Sequence, residues 1–429
     1  MINKKYQVLI AGGGITGTSL LYTLSKLSNI KSIALLEKNN TVGTLNTSGL
    51  HNSQTLHFGD IETNYTLDKA KTVNAGAQLV AEYLENLPHN DGIFMRNQSM
   101  LLAVGEKEVA VLHERFEQFK NIFPNLKKLE RNDIAKIEPK ITQDRDPKTP
   151  ILALLSTDRY TVDYQKLSQQ FIKDAQNQSS AKIDLLFNTK IKNIQKINGQ
   201  YVVTTDKEKI EAEVVVVALG AHSLMFAKQL GYGLEYALLP IIGDYYSTIT
   251  PLLNGKVYTI QNPKLPFAAI HGDPNILDLS ETRFGPTALS LPILERGSLK
   301  TFFEFLRSTG FDLDTLKSLI KINSDKEILK FIWQNFIYTL PLVGRRAFIK
   351  TIAKIIPSIT LNDLKSQKGR GGIRPQLVNK KERHLLMGSA EIAGDKIIFN
   401  VTPSPGATAC LQTAQKMAGQ IINFLESNH

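Results

Sequence analysis

Two features that would narrow the function at once are missing from this sequence: paired cysteines and a long apolar run. Cys410 is the single cysteine among 429 residues, so neither an intrachain disulfide nor a cysteine-based zinc site can form. No run of about 18 apolar residues occurs, which argues against a membrane-spanning helix. Val8 to Ile10 follow two lysines as in a secretory signal, but Gly12 to Gly14 interrupt them too soon. We therefore predict a globular protein of the cytoplasm.

Internal repeats and low-complexity tracts are also missing, which excludes a solenoid or a disordered tail. With 42% hydrophobic and 21% charged residues, the composition is typical of a globular protein with a sizeable core. At about 100 to 200 residues per domain, the length predicts two or three domains.

The first 40 residues have the pattern of a βαβ unit. Residues 6–11 form a short apolar run, residues 14–27 have apolar positions at helical spacing, and residues 33–36 form a second apolar run. A Val-rich run at 214–219 predicts a further strand of the same sheet, buried on both faces. Residues 407–425 predict an amphipathic helix that returns to this sheet.

A G-x-G-x-x-G motif lies between the first strand and the helix, and an acidic residue ends the second strand. Gly12 allows the tight turn, Gly14 allows the backbone to approach a pyrophosphate, and Gly17 allows close helix packing. Glu37 comes 20 residues after Gly17 and can accept a hydrogen bond from a ribose hydroxyl. With strand, helix and acid in place, the motif predicts a dinucleotide at the N-terminus of the helix.

A second G-x-G-x-x-G motif is absent, which leaves one dinucleotide site. After the βαβ unit, residues 46–60 form a polar loop with two glycines and two histidines instead of a further βα unit. Such a loop suits a flavin that reaches into the interior, so we predict FAD rather than NAD. Because no second nucleotide domain exists to reload or unload the flavin, the electron acceptor must be external, such as oxygen or a quinone.

The predicted fold is α/β: a Rossmann-type FAD-binding domain with an inserted α+β substrate domain of mixed β-sheet and helices. Residues 236–300 are rich in strand-like segments and prolines, and residues 301–360 have helical patterns. The predicted FAD-binding domain comprises residues 1–85, 150–235 and 366–429. The predicted substrate-binding domain, with a basic helical surface, comprises residues 86–149 and 236–365.

Several segments resemble one family of flavoproteins. Asn52 to Thr66 (NSQTLHFGDIETNYT) resembles the flavin-side loop of the malate:quinone oxidoreductases. Lys256 to Asp273 (KVYTIQNPKLPFAAIHGD) and Arg283 to Leu289 (RFGPTAL) resemble the substrate-domain strands of a shorter branch of that family. Gly372 to Gln376 (GIRPQ) and Asn400 to Thr408 (NVTPSPGAT) resemble its closing flavin-domain motifs. The wider group is the D-amino-acid-oxidase-like FAD-dependent oxidoreductases.

The resemblance implies oxidation of (S)-malate to oxaloacetate by hydride transfer to FAD, with electrons passed to a membrane quinone. The loop departs from the longer enzymes of the family, because Gln54 to His57 (QTLH) stands where they have an Ala-Gly-Thr-Gly-His run. Two other functions on the same fold therefore stay open, a 2-hydroxyglutarate dehydrogenase and an amine or amino-acid oxidase. An RNA-binding flavoprotein is a remote alternative.

Oxidation of a 2-hydroxy acid needs a base for the hydroxyl proton and cations for the carboxylates. His271 is the first candidate for the base, because Asp273 lies two residues later on the same strand face and can orient its ring. The resemblance also favours His271, and His57, in the loop beside the flavin, is the rival. Arg374 is the first candidate for carboxylate binding and Arg283 the second. For Arg283, a surface salt bridge explains the residue equally well.

We expect FAD to bind noncovalently, since a lone helical cysteine such as Cys410 is usually a small buried apolar residue. The last helix, opened by Pro403 to Ala407, can direct its N-terminal amides at the flavin. We expect no metal. The residues expected to contact FAD come from the turn, the loop, two strand ends and the tail: Gly12, Gly14, Ile15, Thr16, Gly17, Glu37, Lys38, Asn52, Ser53, Gln54, Thr55, Ile191, Gly220, Gly372, Pro405, Gly406, Ala407 and Thr408.

The formal net charge is +11, and most of the excess lies in residues 321–370, where ten Lys or Arg accompany three acids. Cations beside aromatic residues suit an anionic lipid surface, so we predict that the protein can lie on the inner face of the cell membrane. A solvated basic helix pair with its aromatic residues in the core explains the pattern equally well, and nucleic acid is not expected as a partner. The aromatic residues of this stretch are Phe331, Trp333, Phe336, Tyr338 and Phe348.

Overall fold

The computed structural model describes residues 2–261, 269–310, 312–340, 343–365, 370–386, 390–402 and 405–427. Pro403, predicted to open the last helix, lies outside the described residues, as do residues 366–369 at a predicted domain boundary. Within the described ranges, no helix combines the length and the apolar character that a membrane crossing needs.

The chain alternates between strands and helices over most of its length. The strands are β1 (Ile2–Ala11), β2 (Ser32–Leu36), β3 (Phe94–Val104), β4 (Leu126–Leu129), β5 (Ile151–Val162), β6 (Lys182–Leu186), β7 (Ile191–Ile197), β8 (Gln200–Thr205), β9 (Lys209–Val217), β10 (Tyr236–Ile242), β11 (Tyr246–Ser247), β12 (Lys256–Thr259), β13 (His271–Asn275), β14 (Asp278–Gly285), β15 (Leu289–Ser290), β16 (Ile373–Asn379), β17 (His384–Leu385), β18 (Ala390–Gly394) and β19 (Ile397–Val401). The helices are α1 (Ile15–Leu24), α2 (Leu67–Glu85), α3 (Glu106–Phe119), α4 (Arg131–Ile137), α5 (Pro139–Thr142), α6 (Tyr164–Gln178), α7 (Ser223–Gln229), α8 (Phe302–Thr309), α9 (Leu313–Asn323), α10 (Lys326–Thr339), α11 (Val343–Ile352) and α12 (Cys410–Glu426).

The first sheet has the strand order β18-β19-β9-β1-β2-β6, and the hairpin of β7 and β8 extends it along the first half of β9. β1 pairs in parallel with both β2 and β9, as expected of a Rossmann unit. Val214 to Val217 are fully buried because helices and neighbouring strands cover both faces of β9. Each such valine contributes about 1.5 to 3 kcal/mol, which explains the continuous apolar run in the sequence.

The tail returns to this sheet. β19 pairs with β9, and α12 packs against α1, so the last 30 residues complete the dinucleotide-binding layer. α12 begins at Cys410, three residues later than the predicted helix, because Pro405 to Ala409 form turns. In these turns the amide of Thr408 donates to the Pro405 carbonyl at 3.0 Å, an i to i−3 bond.

The second sheet has the order β11-β14-β13-β12-β3-β5-β4 and the third the order β15-β10-β16-β17. β3 and β12 are parallel, while the other pairs of these two sheets are antiparallel. α11 buries Phe348 and Ile352 against the second sheet. The strand-rich and helical segments predicted for residues 236–360 are therefore present.

Sheet membership bears on the predicted domains at two places. β5 lies in the second sheet, although residues 150–162 are assigned to the FAD-binding domain. β16 lies in the third sheet beside β10, although residues 366–429 are assigned to that domain too. In both cases the long-range strand pairing is invisible in the local pattern, and the domain boundaries stay a prediction.

Candidate active site

The glycine-rich turn joins β1 to α1 at the carboxyl edge of the first sheet. Gly12 has a φ of +111°, which other residues rarely adopt, and a Cβ there would lie 2.4 Å from the carbonyl oxygen of Ala218. A Cβ on Gly17 would lie 2.0 Å from the carbonyl oxygen of Gly12. Both positions therefore need glycine. The turn leaves the start of α1 at the edge where parallel sheets bind phosphate groups.

Glu37 is fixed beside this turn. Its Oε2 accepts a hydrogen bond from the amide of Gly13 at 2.9 Å, and its Oε1 accepts one from the amide of Asn39 at 2.9 Å. A carboxylate has about four acceptor sites, so these bonds orient the side chain and still leave capacity for a ribose hydroxyl.

Four other predicted FAD contacts lie around the same edge. The amide of Ile15 donates to the Thr47 hydroxyl at 3.0 Å, which joins α1 to the following loop. Gly220 follows β9 with a φ of +58°, and a Cβ there would meet no atom within 4 Å, so space is open beside it. Ile191 is buried at the start of β7. Lys38 forms an ion pair with Glu295. Glu295 follows β15 of the third sheet, so the segment after this strand lies at the same edge.

The loop after β2 is irregular and is tied to two other parts of the chain. Asn46 bonds the backbone of Ile373 twice, donating to its carbonyl at 2.8 Å and accepting from its amide at 3.0 Å. Gln54 is fully buried with a φ of +54° and donates to Asn275 of β13 at 2.8 Å. Asn52 closes the loop on itself, since its amide group donates to the Ser48 carbonyl at 2.8 Å. The loop is therefore held in one shape between the third sheet and the second sheet.

A row of charged side chains crosses three neighbouring strands of the second sheet. Asp273 on β13 lies opposite Arg283 on β14, which donates to its Oδ2 at 2.6 Å. Lys256 on β12 lies on the other side, with its Nζ 3.8 Å from Asp273 Oδ1. At most 2% of each of these residues is exposed. Burial lowers the pKa of Lys256 to about 8, and the row places the Asp273 carboxylate between a lysine and an arginine.

Arg283 does not form the surface salt bridge that sequence reasoning allowed. It is buried, and besides Asp273 it donates to the carbonyls of Asn52 and Ser53 in the loop. Lys256 likewise donates to the Ser53 carbonyl, at 3.0 Å, and to the Thr55 hydroxyl. Both cations therefore hold the predicted flavin-side loop against the second sheet.

His271 lies next to this row, two residues before Asp273, as predicted. Its Nε2 is 3.6 Å from Asp273 Oδ1, which is too long for a hydrogen bond, and neither ring nitrogen has a partner among the described residues. The ring packs against Tyr258, with centroids 4.8 Å apart. Burial, and then the positive charge of Lys256, hold the pKa of His271 well below its ordinary value of 6.5.

His57 faces the same space from the loop. Its Nδ1 and Glu62 Oε1 are 2.7 Å apart, and its ring centroid lies 6.4 Å from that of Tyr258. Burial raises the pKa of Glu62, but the hydrogen bond with His57, together with smaller effects that include the charge of Arg115, lowers it below its ordinary value. Arg115 holds the turn that carries this pair, because it is buried and donates to the carbonyls of Asp60 and Glu62.

Arg374 lies on β16, in the third sheet, and reaches the same residues from another side. Its positive charge acts on the hydroxyl of Tyr245, whose pKa burial raises to about 12. The ring of Tyr245 lies 6.0 Å from that of His271. The structure therefore brings together all five residues predicted for catalysis: His57, His271, Asp273, Arg283 and Arg374.

This cluster has polar atoms that are buried without partners among the described residues. They include both ring nitrogens of His271, Asp273 Oδ1 and Glu62 Oε2. Unsatisfied buried groups of this kind are costly unless a ligand or water satisfies them. With Lys256, Arg283 and Arg374 charged against two carboxylates, the cluster suits a small anionic ligand that can donate and accept hydrogen bonds.

Sequence reasoning missed Lys256, Glu62 and Tyr258 as site residues. Lys256 and Tyr258 are two residues apart and lie on the same face of β12, as His271 and Asp273 do on β13. This shared i, i+2 spacing is the signal in the sequence that could have indicated Lys256 and Tyr258 as site residues. The pairing of β12 with β13 is not visible in the sequence. Glu62 lies five residues after His57 in a loop, where spacing carries no information about contact.

The tail, which includes Thr408 and Cys410, contacts the loop that carries His57. The amide of His57 donates to the Thr408 hydroxyl at 3.1 Å, so one predicted FAD residue touches the loop directly. Cys410 is buried, and burial raises the pKa of its thiol to about 12, which keeps it protonated and unreactive. In the described ranges, no cluster of three or more His, Cys, Asp or Glu side chains could hold a metal ion.

These features fit a flavin dinucleotide. The backbone turn at Gly12 and Gly17, the oriented carboxylate of Glu37 and the space beside Gly220 lie at one edge of the first sheet. The loop that carries His57 connects this edge to the unsatisfied polar atoms between the second and third sheets. The adenosine and pyrophosphate would be held at the first place, and the reactive ring would lie toward the second.

Residues 7–420 match the model of a protein family described as FAD dependent oxidoreductase. The chain is 41% identical to a probable malate:quinone oxidoreductase of Campylobacter jejuni, over 99% of this chain and 97% of that protein. It is 37% identical to the malate:quinone oxidoreductase of Helicobacter pylori strain 26695, over 99% and 96%. The mitochondrial L-2-hydroxyglutarate dehydrogenase of Homo sapiens is 26% identical, over 99% and 90%.

Among solved structures, the L-alpha-glycerophosphate oxidase of Mycoplasma pneumoniae with FAD bound is similar, with a TM-score of 0.70 and 18% identity over 98% of this chain and 95% of that one. At this identity the likeness concerns the fold alone. It agrees with the predicted fold class, an α/β fold of the FAD-dependent oxidoreductases.

Proposed function

This chain belongs to the FAD-dependent oxidoreductases and, within them, to the malate:quinone oxidoreductases, and from that premise we propose that it oxidises (S)-malate to oxaloacetate and passes the electrons to a quinone. The observation that carries the proposal is the cationic cluster around His57 and His271, next to a dinucleotide edge. Malate has two carboxylates and a hydroxyl, which match three cations, unsatisfied donors and an oriented histidine. FAD, when bound, supplies the acceptor for the hydride that leaves the substrate carbon.

We propose that His57 takes the hydroxyl proton at Nε2. Glu62 holds Nδ1 at 2.7 Å, so the neutral ring carries its proton on Nδ1 and presents a lone pair on Nε2. The buried carboxylate also stabilises the imidazolium that forms, as an orienting acid does for a catalytic base. His271 is the first candidate from the sequence, but no hydrogen bond from a described residue orients its ring, and its cationic neighbours oppose a positive charge on it.

We propose that His271 and Arg374 bind the substrate carboxylates. The neutral ring of His271 can donate one hydrogen bond, and Arg374 offers a fork of donors from the opposite sheet. The charge balance also disfavours an amino acid as substrate, since its ammonium group would meet Lys256, Arg283 and Arg374. The second candidate function is oxidation of 2-hydroxyglutarate, favoured by the 26% identical human relative. One extra methylene changes substrate preference by only about 1 to 3 kcal/mol.

The test is anaerobic bleaching of the visible flavin band of the purified protein. We expect L-malate to bleach it faster than L-2-hydroxyglutarate by about tenfold or more, and D-amino acids to leave it unchanged. A soluble quinone analogue should then restore the colour. Bleaching by 2-hydroxyglutarate alone would replace the substrate and keep the cofactor, whereas restoration by oxygen but not by quinone would replace the acceptor.

We further propose that the protein works at the cytoplasmic face of a membrane, because its acceptor is a lipid-soluble quinone. Helix α10 supports this. Its buried residues are Asn335 and Tyr338, while Trp333 is 64% exposed, so an apolar stripe of this helix faces solvent. Lys326 and Lys330 are exposed on the same helix. The exposed large apolar residues of the stripe recur every three or four positions: Leu329, Ile332, Trp333, Phe336, Ile337 and Leu340.

Trp333 is the only tryptophan of the chain and makes this proposal testable without a label. We expect its emission to shift to the blue with vesicles of phosphatidylglycerol and phosphatidylcholine, but not with phosphatidylcholine alone. The double variant Phe336→Ser and Ile337→Ser should weaken co-sedimentation about tenfold or more. Leu279→Ser, at a site that is 62% exposed on β14, is the matched control. An unshifted emission together with unchanged sedimentation of the double variant would move the membrane contact elsewhere or remove it.

A further inference from the structure

Lys256 belongs to the cationic cluster described above, but neither the proton transfer nor the carboxylate binding proposed there is assigned to it. A lysine that is 2% exposed is rare unless its charge has a partner, and its closest carboxylate atom is Asp273 Oδ1, at 3.8 Å. Two of its hydrogen bonds go to the Ser53 carbonyl and the Thr55 hydroxyl. The remaining question is what the charge does there.

Lys256 and His271 both lie near the same oxygen atom of Asp273. Its Oδ2 is bound by Arg283 at 2.6 Å, so that half of the carboxylate is committed. Its Oδ1 has no hydrogen-bond partner among the residues that the structure describes, and it lies 3.8 Å from Lys256 Nζ and 3.6 Å from His271 Nε2. One carboxylate can stabilise a cation at either position, but two cations at this distance in a buried site repel each other.

We propose that Lys256 is a positioning residue: the charge that it places beside Asp273 keeps the His271 ring neutral, so that His271 binds substrate as a hydrogen-bond donor and leaves the proton chemistry to His57. The inference rests on the proposed function for the role of His271, but the charge competition itself does not. Without the charge of Lys256, Asp273 Oδ1 would become the partner of a protonated His271.

Several charged and titratable groups face His271 and act on it together. Asp273 favours the protonated ring, and the nearby cations oppose it. Burial is the largest effect on the pKa of His271, and Lys256 is the largest charge effect. The groups around the ring are Lys256 and Tyr258 on β12, Asp273 on β13, Arg283 on β14, Arg374 on β16, and His57 and Tyr245 in loops.

The experiment follows the ring nitrogens of His271 by NMR in FAD-loaded protein with 15N-labelled histidine. The chain has eight histidines, and the variant His271→Gln assigns the signal. In the wild type we expect the ring of His271 to stay neutral as the pH passes through the ordinary histidine pKa of about 6.5. In Lys256→Met we expect its pKa to rise by at least about one unit, since loss of a buried neighbouring charge has an effect of that order.

Three further measurements separate this role from simple packing. Lys256→Arg keeps the charge and should keep the low pKa of His271. Asp273→Asn combined with Lys256→Met should return the pKa to a low value, because the carboxylate that stabilises the protonated ring is gone. In Lys256→Met, the KM for malate should fall as pH falls through the raised pKa of His271, because a charged His271 holds a carboxylate more strongly. Lys136→Met, which removes an exposed cation on α4, is the matched control and should change none of these.

A measurement on the wild type covers the case in which the variants do not fold. The pKa of Lys256 is about 8, so its loss of charge should appear as a second inflection in the His271 signals near pH 8, and Lys256→Arg should lack it. The proposal is overturned if His271 titrates alike in Lys256→Met and wild type, or if the inflection persists in Lys256→Arg. Failure of malate to bleach the flavin would instead remove the proposed substrate and leave the titration result intact.

Discussion

The dinucleotide edge and the substrate cluster are built in different ways. At the edge, the site is shaped mainly by the main chain: Gly12 and Gly17 allow close backbone approach, and backbone amides fix Glu37. The substrate cluster is formed by side chains, and these come from separate segments of the chain. These segments are the loop with His57 and Glu62, strands β12, β13 and β14 of the second sheet, and β16 of the third.

The difference explains how one fold serves many substrates. A backbone site depends on few residue identities, whereas a side-chain cluster changes with each substitution on its strands. One similar solved structure, at 18% identity, is named a glycerophosphate oxidase, and a 26% identical relative is named a hydroxyglutarate dehydrogenase. This chain shares its fold with the first protein, and the two named proteins act on different substrates. We therefore expect mutations to separate cofactor binding from chemistry in this protein.

The largest expected separation is at His57. His57→Gln removes the proposed base, so kcat for malate should fall about 10²- to 10⁴-fold, while the FAD content per chain stays that of the wild type. Steady-state rates with a quinone analogue and the ratio of flavin to protein absorbance measure the two effects. His113→Gln, on the exposed face of α3, is the matched control. If His271→Gln caused this loss and His57→Gln did not, the order predicted from sequence would be restored.

The reverse separation is expected at Gly17. Gly17→Ala would place a Cβ 2.0 Å from the Gly12 carbonyl oxygen, and the turn must shift to make room. Overpacking of this kind costs about 1 to 3 kcal/mol, so FAD should be retained about 10- to 100-fold less tightly. Titration of FAD into the apoprotein measures this. Gly419→Ala in α12, where a Cβ meets nothing within 4 Å, is the control and should bind FAD normally.

The same difference decided what could be predicted from the sequence. The βαβ unit, its turn and Glu37 form a local pattern, and the fold class, the FAD cofactor and the family were predicted from it and from the resembling segments. The candidates His57, His271 and Arg374 came from resemblance and residue chemistry. Their partners did not, because Glu62 and Lys256 are recognisable only once the loop and the strand register are known.

Burial was the other property that sequence could not supply. Arg283 and Trp333 both differ from the usual preference of their residue type, since the arginine is buried and the tryptophan exposed. The arginine is buried because Asp273 and the loop carbonyls satisfy its donors. The tryptophan is exposed because α10 turns Asn335 and Tyr338 inward instead. Neither arrangement follows from helical or strand periodicity alone.

The smallest expected effect is at Lys38, and it tests whether the dinucleotide edge depends on its backbone. Lys38 was predicted to contact FAD, but its ammonium group pairs with Glu295 in a partly exposed position. Such pairs contribute about 0.2 to 1 kcal/mol, so Lys38→Met should weaken FAD binding less than about fivefold, and Glu295→Gln should do the same. The same apoprotein titration measures both. A loss in Lys38→Met as large as that in Gly17→Ala, without one in Glu295→Gln, would mean that the lysine binds the cofactor directly. The edge would then depend on side chains as the substrate cluster does, and the contrast between the two regions would not hold.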